Sequence, residues 1–467
     1  LRRSDISAVI NNKNNNNNPP FVYLHQRSAP SLSSHQRIAD NTFMSAQLLI
    51  FDDGQGQFGP LMDLRAVFEF RSGAVTALSR IERSLGQPAV ALHVKKAQIP
   101  AISHRRALQI NQPLGDGDWL LVNGRWLGLL GADHVRALAP GSALLQHDGQ
   151  LIAAHLPAAP AQQVIDAKFN VPSSIATTTL PAPSLIRDAS QGEGTGGDLM
   201  LIERPWHLLD QLEANLRDDL DAFNHPIFAP PSLAQIAITG SHPCKVAVDA
   251  KVSPMVVLNA DKGPIVIDSG AQINSFAVIN GPCYIGQRST VNAHSDIRAN
   301  TVIGPACKVG GEISFSIIHG YTNKSHLGYL GHSLVGAWVN FGAGSTVSNL
   351  KNTYGSIRVQ LEHNAPAQDT DRIFMGPIIG DYTLTAIGSR IMTGSCIGTG
   401  TMLATSAFSP KIAERFSFIT DETTQRYDID KFISMARRMT SRRGRAIKQA
   451  EEQLLRHIYA DATAMGA

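Results

Sequence analysis

Several things are scarce in this sequence. Four cysteines are spread over 467 residues, with no Cys-x-x-Cys pair and no Cys/His cluster at zinc spacing. That excludes a disulfide framework and offers no structural metal. Charge of one sign is also lacking: 41 Lys and Arg against 38 Asp and Glu leave a net +3. So small an excess announces neither a nucleic-acid nor a bilayer surface, though small anionic ligands stay open. No apolar run reaches the roughly 18 residues of a membrane span, and the N-terminus lacks the apolar core of a secretory signal. Together these absences describe a soluble, cytoplasmic chain with no nucleic-acid or membrane partner. What remains is ordinary globular material, 43% hydrophobic, long enough for two or three domains.

Residues 1–43 contain "NNKNNNNNPP" and a Ser/Gln-rich continuation. Such a composition buries too little apolar surface to order itself and is expected to be a disordered extension. Met44 stands just before the strand-like run "AQLLIF" and is a candidate translation start.

The decisive regularity is a spacing of six. Ile267, Ile273, Ile279, Ile285, Val291, Ile297, Ile303 and Val309 are consecutive β-branched aliphatics at that interval. Two residues before each stand Ile265, Ala271, Ala277, Cys283, Ser289, Ser295, Thr301 and Cys307, all small after the first. Positions i and i−2 of a strand share a face, so each unit sends one large and one small side chain inward before turning. Three units make a triangular coil, and stacked coils make a parallel β-helix. The beat returns as Val335, Phe341 and Val347, and again as Ile373, Ile379, Ile391, Ile397 and Leu403. Loops are expected to leave the prism in the gaps, near residues 311–328 and 351–371. Cysteines in the small inward slot behave as small hydrophobes, and all four are read as structural.

The second half of the prism carries polar residues that a plain repeat does not need. His326-Leu327-Gly328-Tyr329-Leu330-Gly331 is followed by Val339-Asn340-Phe341-Gly342-Ala343-Gly344 and then Ser348-Asn349. His326 precedes Tyr329 by three residues and Asn340 by fourteen, and Asn349 lies nine beyond Asn340. In these motifs and spacings the stretch resembles the acetyltransferase half of the bifunctional N-acetylglucosamine-1-phosphate uridyltransferase/glucosamine-1-phosphate acetyltransferase family. "IRANTVIGPACKVGG" resembles that family's Leu-Arg-Pro-Gly stretch and puts Arg298 on its phosphate-binding arginine. The likeness runs over roughly residues 265–408. It implies a left-handed β-helix, a homotrimer and acetyl-CoA bound between coils.

The resemblance and the chemistry together suggest roles. Acyl transfer to an amine needs a base, and an imidazole titrating near pH 6.5 suits the task, so His326 is the candidate and Glu312 a candidate to orient it. A preorganised donor must meet the negative charge that builds on the thioester oxygen, and a backbone N–H of the Gly-Ala-Gly segment or a nearby amide could do so. Arg298, Tyr329, Asn340 and Asn349 would bind the amino sugar, and Ala343 would offer its backbone to acetyl-CoA. The family's lysines against the sugar phosphate are missing: Ser314 and Ser316 fill the first region, and only Lys324 and Lys351 are near. His332 stands where the family has Asp.

Residues 44–230 resemble a shortened sugar-nucleotidyltransferase domain of α/β, Rossmann-like type. "LLIFDDGQGQFGPL" reads as a buried strand entering a Gly-rich turn whose amides could cradle phosphate. The family's arginine is absent there, with Arg65 or Arg71 as substitutes. In "DWLLVNGRWL" the family's Mg²⁺-holding carboxylate is replaced by Asn123, followed by Gly124 and Arg125. An uncharged amide is a poorer ligand for a hard cation. Asp52, Asp53, Asp116 and Asp118 could replace it, though each is more simply a turn residue. Mg²⁺ is therefore expected only if this domain is active.

Residues 180–198 read as a linker, and "PWHLLDQLEANLRDDLDAF" as a helix joining the domains with its acids outside. The β-helix domain is placed at 240–410 and a helical tail at 411–467. In the tail, "ARRMTSRRGR" reads first as a solvated basic face and second as a contact with acetyl-CoA phosphates or a neighbouring subunit. The leading expectation is an N-acetyltransferase acting on an amino-sugar 1-phosphate in nucleotide-sugar synthesis, with nucleotidyl transfer from UTP or dTTP as a second step. The alternatives are a nucleotidyltransferase with a scaffold β-helix and a non-catalytic trimer that binds a nucleotide sugar.

Overall fold

A computed structural model describes residues 46–180, 201–231 and 235–465. The expected N-terminal extension and most of the 180–198 linker lie outside the described residues.

The front domain is built on one seven-stranded sheet. Its strands are β1 (Gln47–Phe51), β2 (Ala89–His93), β3 (Gln109–Ile110), β4 (Asp118–Asn123), β5 (Ser142–Leu145), β6 (Leu151–Pro157) and β7 (Ala176–Thr179), in the spatial order β3-β2-β1-β4-β6-β5-β7. β1 lies between β2 and β4, parallel to both, while β6 runs antiparallel to β4 and β5. Near-continuous apolar runs such as Leu48-Leu49-Ile50-Phe51 follow from that position, because a central strand is covered on both faces. The central parallel strands end at the turn after Phe51 and at Asn123, where an open α/β sheet leaves its crevice.

From Ala237 onward the chain winds into a three-sided parallel β-helix. Its sides are sheets of nine, six and five strands, the last continued by strands from Leu384–Thr385 to Ser417–Thr420. Registers advance mostly by eighteen residues per coil, as in Ile265↔Cys283↔Thr301. All sixteen residues of the two inward columns named above are buried, and the aliphatics merge into one core with Cys244, Cys283 and Cys307. Each large apolar side chain taken from water stabilises the coil by roughly 1.5–3 kcal/mol.

Three expectations about this prism need correction. It does not stop at residue 410, since Ile412–Ala413 and Ser417–Thr420 continue two of its sides inside the stretch read as a helical tail, whose first helix starts at Ile429. No loop leaves at 311–328, since Glu312–Ser314, Ile317–Gly320 and Asn323–Lys324 are strands in three successive sides, and the coil merely shortens there. Ile373 is only half-buried and belongs not to the inward column but to the excursion that leaves near residue 350 and carries the antiparallel pair Arg358–Val359 and Gln368–Asp369.

The nine-stranded side is apolar on its outer surface too. Val266, Tyr284, Val302, Ile317, Leu334, Ile378 and Cys396 form one buried cluster with Leu208, Leu212, Leu216 and Leu220 of the front domain. Those leucines come from the expected joining helix, observed as His207–Asp210 and Leu212–Ala222. Its acids are not all outside: Asp219 is fully buried against Arg80 at 2.5 Å. The cysteines are all reduced and buried, and burial pushes the Cys307 and Cys396 thiols up to about 12.

Candidate active site

One corner of the prism, between the five- and six-stranded sides, bears His326. Its successive coils turn through left-handed backbone at Met255, Phe276, His294, Gly311, Gly328, Gly344 and Gly388. Glycine is required at Gly328, where an added Cβ would stand 2.0 Å from the carbonyl oxygen of Ser345. His326 is exposed. Its carbonyl accepts a 2.7 Å bond from the Nζ of Lys324, which also donates to the Gly310 carbonyl at 2.9 Å. Lys324 takes an inward position and is 2% exposed, and burial lowers its pKa to about 8. It therefore ties the His326 turn from within and is not free to meet a phosphate. Lys351 donates to the Ser356 carbonyl at 2.7 Å.

Beside the turn a shallow groove of about 330 Å³ is lined by Asp296, Glu312, Leu327 and Tyr329, with His294 at its edge. Arg298 reaches Glu312 at 2.8 Å and Asp296 at 3.3 Å. Within the chain Glu312 thus faces Arg298 rather than His326, whose ring has no hydrogen-bond partner among the described residues. Glu312 and Tyr329 are neighbours across the ladder. Burial, with Glu312 nearby, raises the Tyr329 phenol above its usual range.

The Asn349 amide donates to the Tyr329 hydroxyl at 2.9 Å and to Nδ1 of His332 at 2.8 Å. His332 stacks between Phe315 and Phe374, with ring centroids 4.9 and 5.1 Å away. Burial, and then Arg372, push its pKa down to about 3, so the ring is neutral and Nδ1 accepts. Both amide protons of Asn349 are committed, leaving its Oδ1 to accept from a ligand. The sequence marked His332 only as a departure; its aromatic clamp depends on Phe374 from the excursion, which spacing did not reveal.

Arg298, Glu312, Tyr329 and Asn349 therefore come together. Asn340 does not join them: it lies on the five-stranded side, where its Oδ1 accepts from Asn323 at 3.1 Å, and Arg443 holds Asn323 in turn. Ala343 is exposed on the His326 corner. The corner is bare there, since a Cβ at Gly388 would meet nothing within 4 Å and one at Gly344 only Gly388 at 3.8 Å. An elongated ligand could lie across it. The tail's arginines are not simply solvated: Arg443 donates to the Ala306 carbonyl at 3.0 Å and Arg445 lies over the Tyr321 ring, holding the tail to the prism.

At the front domain, Asn123 donates to Asp53 Oδ2 at 2.8 Å and to the Leu151 carbonyl at 2.9 Å, while its Oδ1 accepts from the Arg125 amide. Asp53 is gripped by the Arg125 fork at 2.7–3.1 Å. Arg65 pairs with Asp381 of the prism, and Arg71 is bonded to the Ala74 carbonyl, so neither substitutes for the missing arginine. A donor set of one amide and one ion-paired carboxylate does not fit Mg²⁺.

The architecture is thus a mixed Rossmann-like sheet docked on a parallel β-helix whose corner bears an exposed histidine. Residues 48–225 match the family model described as sugar nucleotidyl transferase. The chain is 32% identical over 147 residues to the bifunctional protein GlmU of Jannaschia sp., a match covering 31% of each chain. It is 32% identical over 139 residues to a bifunctional sugar-1-phosphate nucleotidylyltransferase/acetyltransferase of Sulfurisphaera tokodaii, covering 29% of this chain and 34% of that one. With GlmU of Gloeobacter violaceus it shares 42% identity over 109 residues, 23% and 24% of the two chains. By these matches the chain is similar to GlmU-type bifunctional proteins, of whose length each match spans about a third or less.

Proposed function

We propose that the chain acetylates the amino group of an amino-sugar 1-phosphate, glucosamine 1-phosphate foremost, with acetyl-CoA as donor, in nucleotide-sugar synthesis. The observation that carries this reading is the groove beside the His326 turn, lined by Glu312 and Tyr329, with Arg298 paired to Glu312 and Asn349 bonded to the Tyr329 hydroxyl. His326 removes the proton from the substrate ammonium, the freed amine forms a bond to the acetyl carbon, and the carbon–sulfur bond breaks to release coenzyme A as its thiol. Asn349 accepts from a sugar hydroxyl or the amine through Oδ1, and Arg298 meets the phosphate. The bare corner at Ala343 suits the donor.

A homotrimer fits this reading. Met255, Phe276, Leu327 and Ile387 run along or beside the His326 corner, Leu327 and Ile387 being 74% and 78% exposed. So much apolar surface in a line is what a subunit contact would cover. A neighbouring copy would also give the exposed His326 ring the partner it lacks within the chain.

The test is thiol release from acetyl-CoA over a panel of amino sugars and their 1-phosphates. Release with glucosamine 1-phosphate should fall about 10²–10⁴-fold in His326→Ala. No release with any amine would sink the proposal. The family match of residues 48–225 favours a second activity, nucleotidyl transfer from UTP or dTTP to a sugar 1-phosphate, read as pyrophosphate release.

A further inference from the structure

We infer that the described residues at the mouth of the front domain keep no seat for a divalent cation: the guanidinium of Arg125 fills that seat from within, and the turn after β1 serves as the joint to the β-helix.

The first ground is the donor inventory. Arg125 is fully buried and uses Nε and Nη2 on Asp53, Nη1 on the Ile202 carbonyl at 3.2 Å and Nη2 again on Gln150. A planar fork with four of its donor directions filled is not a side chain that swings aside for a ligand. Asn123, also fully buried, has both amide protons committed. A dication at Asp53 would have to displace the guanidinium and strand a charge in the protein interior, which is the costly way to break a buried pair.

The second ground is the turn itself. Amides that could cradle phosphate are already taken by the chain: Gly54 N–H donates to Asp52 Oδ1 at 2.9 Å, Gln55 N–H to Asp53 Oδ1 at 3.0 Å, and Gln57 N–H to the Glu203 carbonyl at 2.8 Å. Asp52 is buried and also accepts from the Val67 amide at 3.2 Å. The two carboxylates nearest the turn are therefore occupied by bonds within the chain.

The third ground is what the turn touches. Gln57 meets Gln368 of the excursion at 2.6 Å. The next segment, Gly59–Met62, packs on the prism, where Thr399 donates to the Pro60 carbonyl at 3.4 Å. Asp63 holds Arg415 at 2.9 Å, and Arg65 holds Asp381 at 2.5 Å. The signature segment of the resembled family has become one side of an intramolecular interface.

Nucleotidyl transfer by this chain would then have to draw its divalent ion from somewhere other than the turn after β1. The inference rests on these bonds and not on the acetyl-transfer reading, so either can fail alone. The experiment uses the full-length chain with Mn²⁺, with and without UTP, observing free Mn²⁺ by electron paramagnetic resonance and the methyl signals of Leu151 and Ile202 by NMR. Both residues give carbonyls to the Asn123–Arg125 pair, and their signals should stay sharp at every Mn²⁺ concentration. Saturable broadening of both would overturn the inference. The double substitution Asn123→Asp with Arg125→Ser should open the seat and bring the broadening in. A folded double variant that still ignores Mn²⁺ would show that Arg125 is not what excludes the ion, and would overturn it equally. If that variant does not fold, the wild-type signals decide alone.

Discussion

The mouth of the front domain and the corner of the β-helix both carry motifs of one family, yet their polar groups are spent differently. At the mouth, Asn123, Arg125, Asp53 and Asp52 are bonded to one another or to nearby backbone, and the turn is pressed toward the prism. At the corner, the His326 ring is exposed, the groove is open, and the Asn349 Oδ1 faces no partner among the described residues. The difference teaches that a motif marks where chemistry belongs in a family, while the hydrogen-bond inventory tells whether the atoms are still free to perform it.

The comparison is broken most severely by attacking buried charge in the front domain. Asp219 is fully buried and bonded to Arg80, Arg83 and the Val75 amide. Asp219→Ala leaves the Arg80 guanidinium uncompensated in the interior, and a loss of about 3–5 kcal/mol is expected in urea unfolding. A loss below about 1 kcal/mol would mean that the pair is solvated and that the front domain holds its charges no more tightly than the corner does.

Acid should weaken both regions. Burial lowers His207 of the joining helix to about 4 and His332 of the prism to about 3, against an ordinary value of 6.5. A histidine lowered in the folded state takes its proton more readily when unfolded. Its stabilisation is therefore present above pH 6.5 and drains as pH falls toward the folded value. The slope is about 1.4 kcal/mol per pH unit for each, or about 2 kcal/mol apiece between pH 6.5 and about pH 5. Urea midpoints across that window check the sum, and His332→Gln should remove the prism's share. An unchanged slope in that variant would show that His332 is not held neutral.

How much of this was legible follows from what each signal depends on. The inward columns could be read because spacing of six is a local, repeated demand, and every member from Ile265 to Val309 is buried. Lys324 broke the pattern of apolar inward residues, and only the carbonyls of Gly310 and His326 explain how an ammonium is tolerated there. The docking of the front domain was invisible because it depends on the outward residues of one side, Val266, Val302 and Leu334, whose alternation reads like any strand covered on both faces. Arg125 was seen as part of a degraded motif. Its bond to Asp53 spans 72 residues, and nothing in the spacing joins them.

The smallest expected effect is the sharpest for the corner. Arg298 and Glu312 are 53% and 36% exposed in their side chains, so Glu312→Gln should cost about 0–1 kcal/mol of stability. Its kinetic effect separates two roles. If Glu312 acts on Arg298, as the 2.8 Å contact argues, removing its charge frees the guanidinium from one of two competing carboxylates. KM for an amino-sugar 1-phosphate should then fall a few-fold, while KM for the unphosphorylated sugar and kcat for both stay level. If Glu312 acts on His326, across a subunit contact or otherwise, kcat should fall for both acceptors alike, because the base loses its orientation whatever the sugar carries. Steady-state kinetics on the two acceptors distinguish these patterns, since a change in KM with kcat unchanged reports binding and a change in kcat reports the transition state.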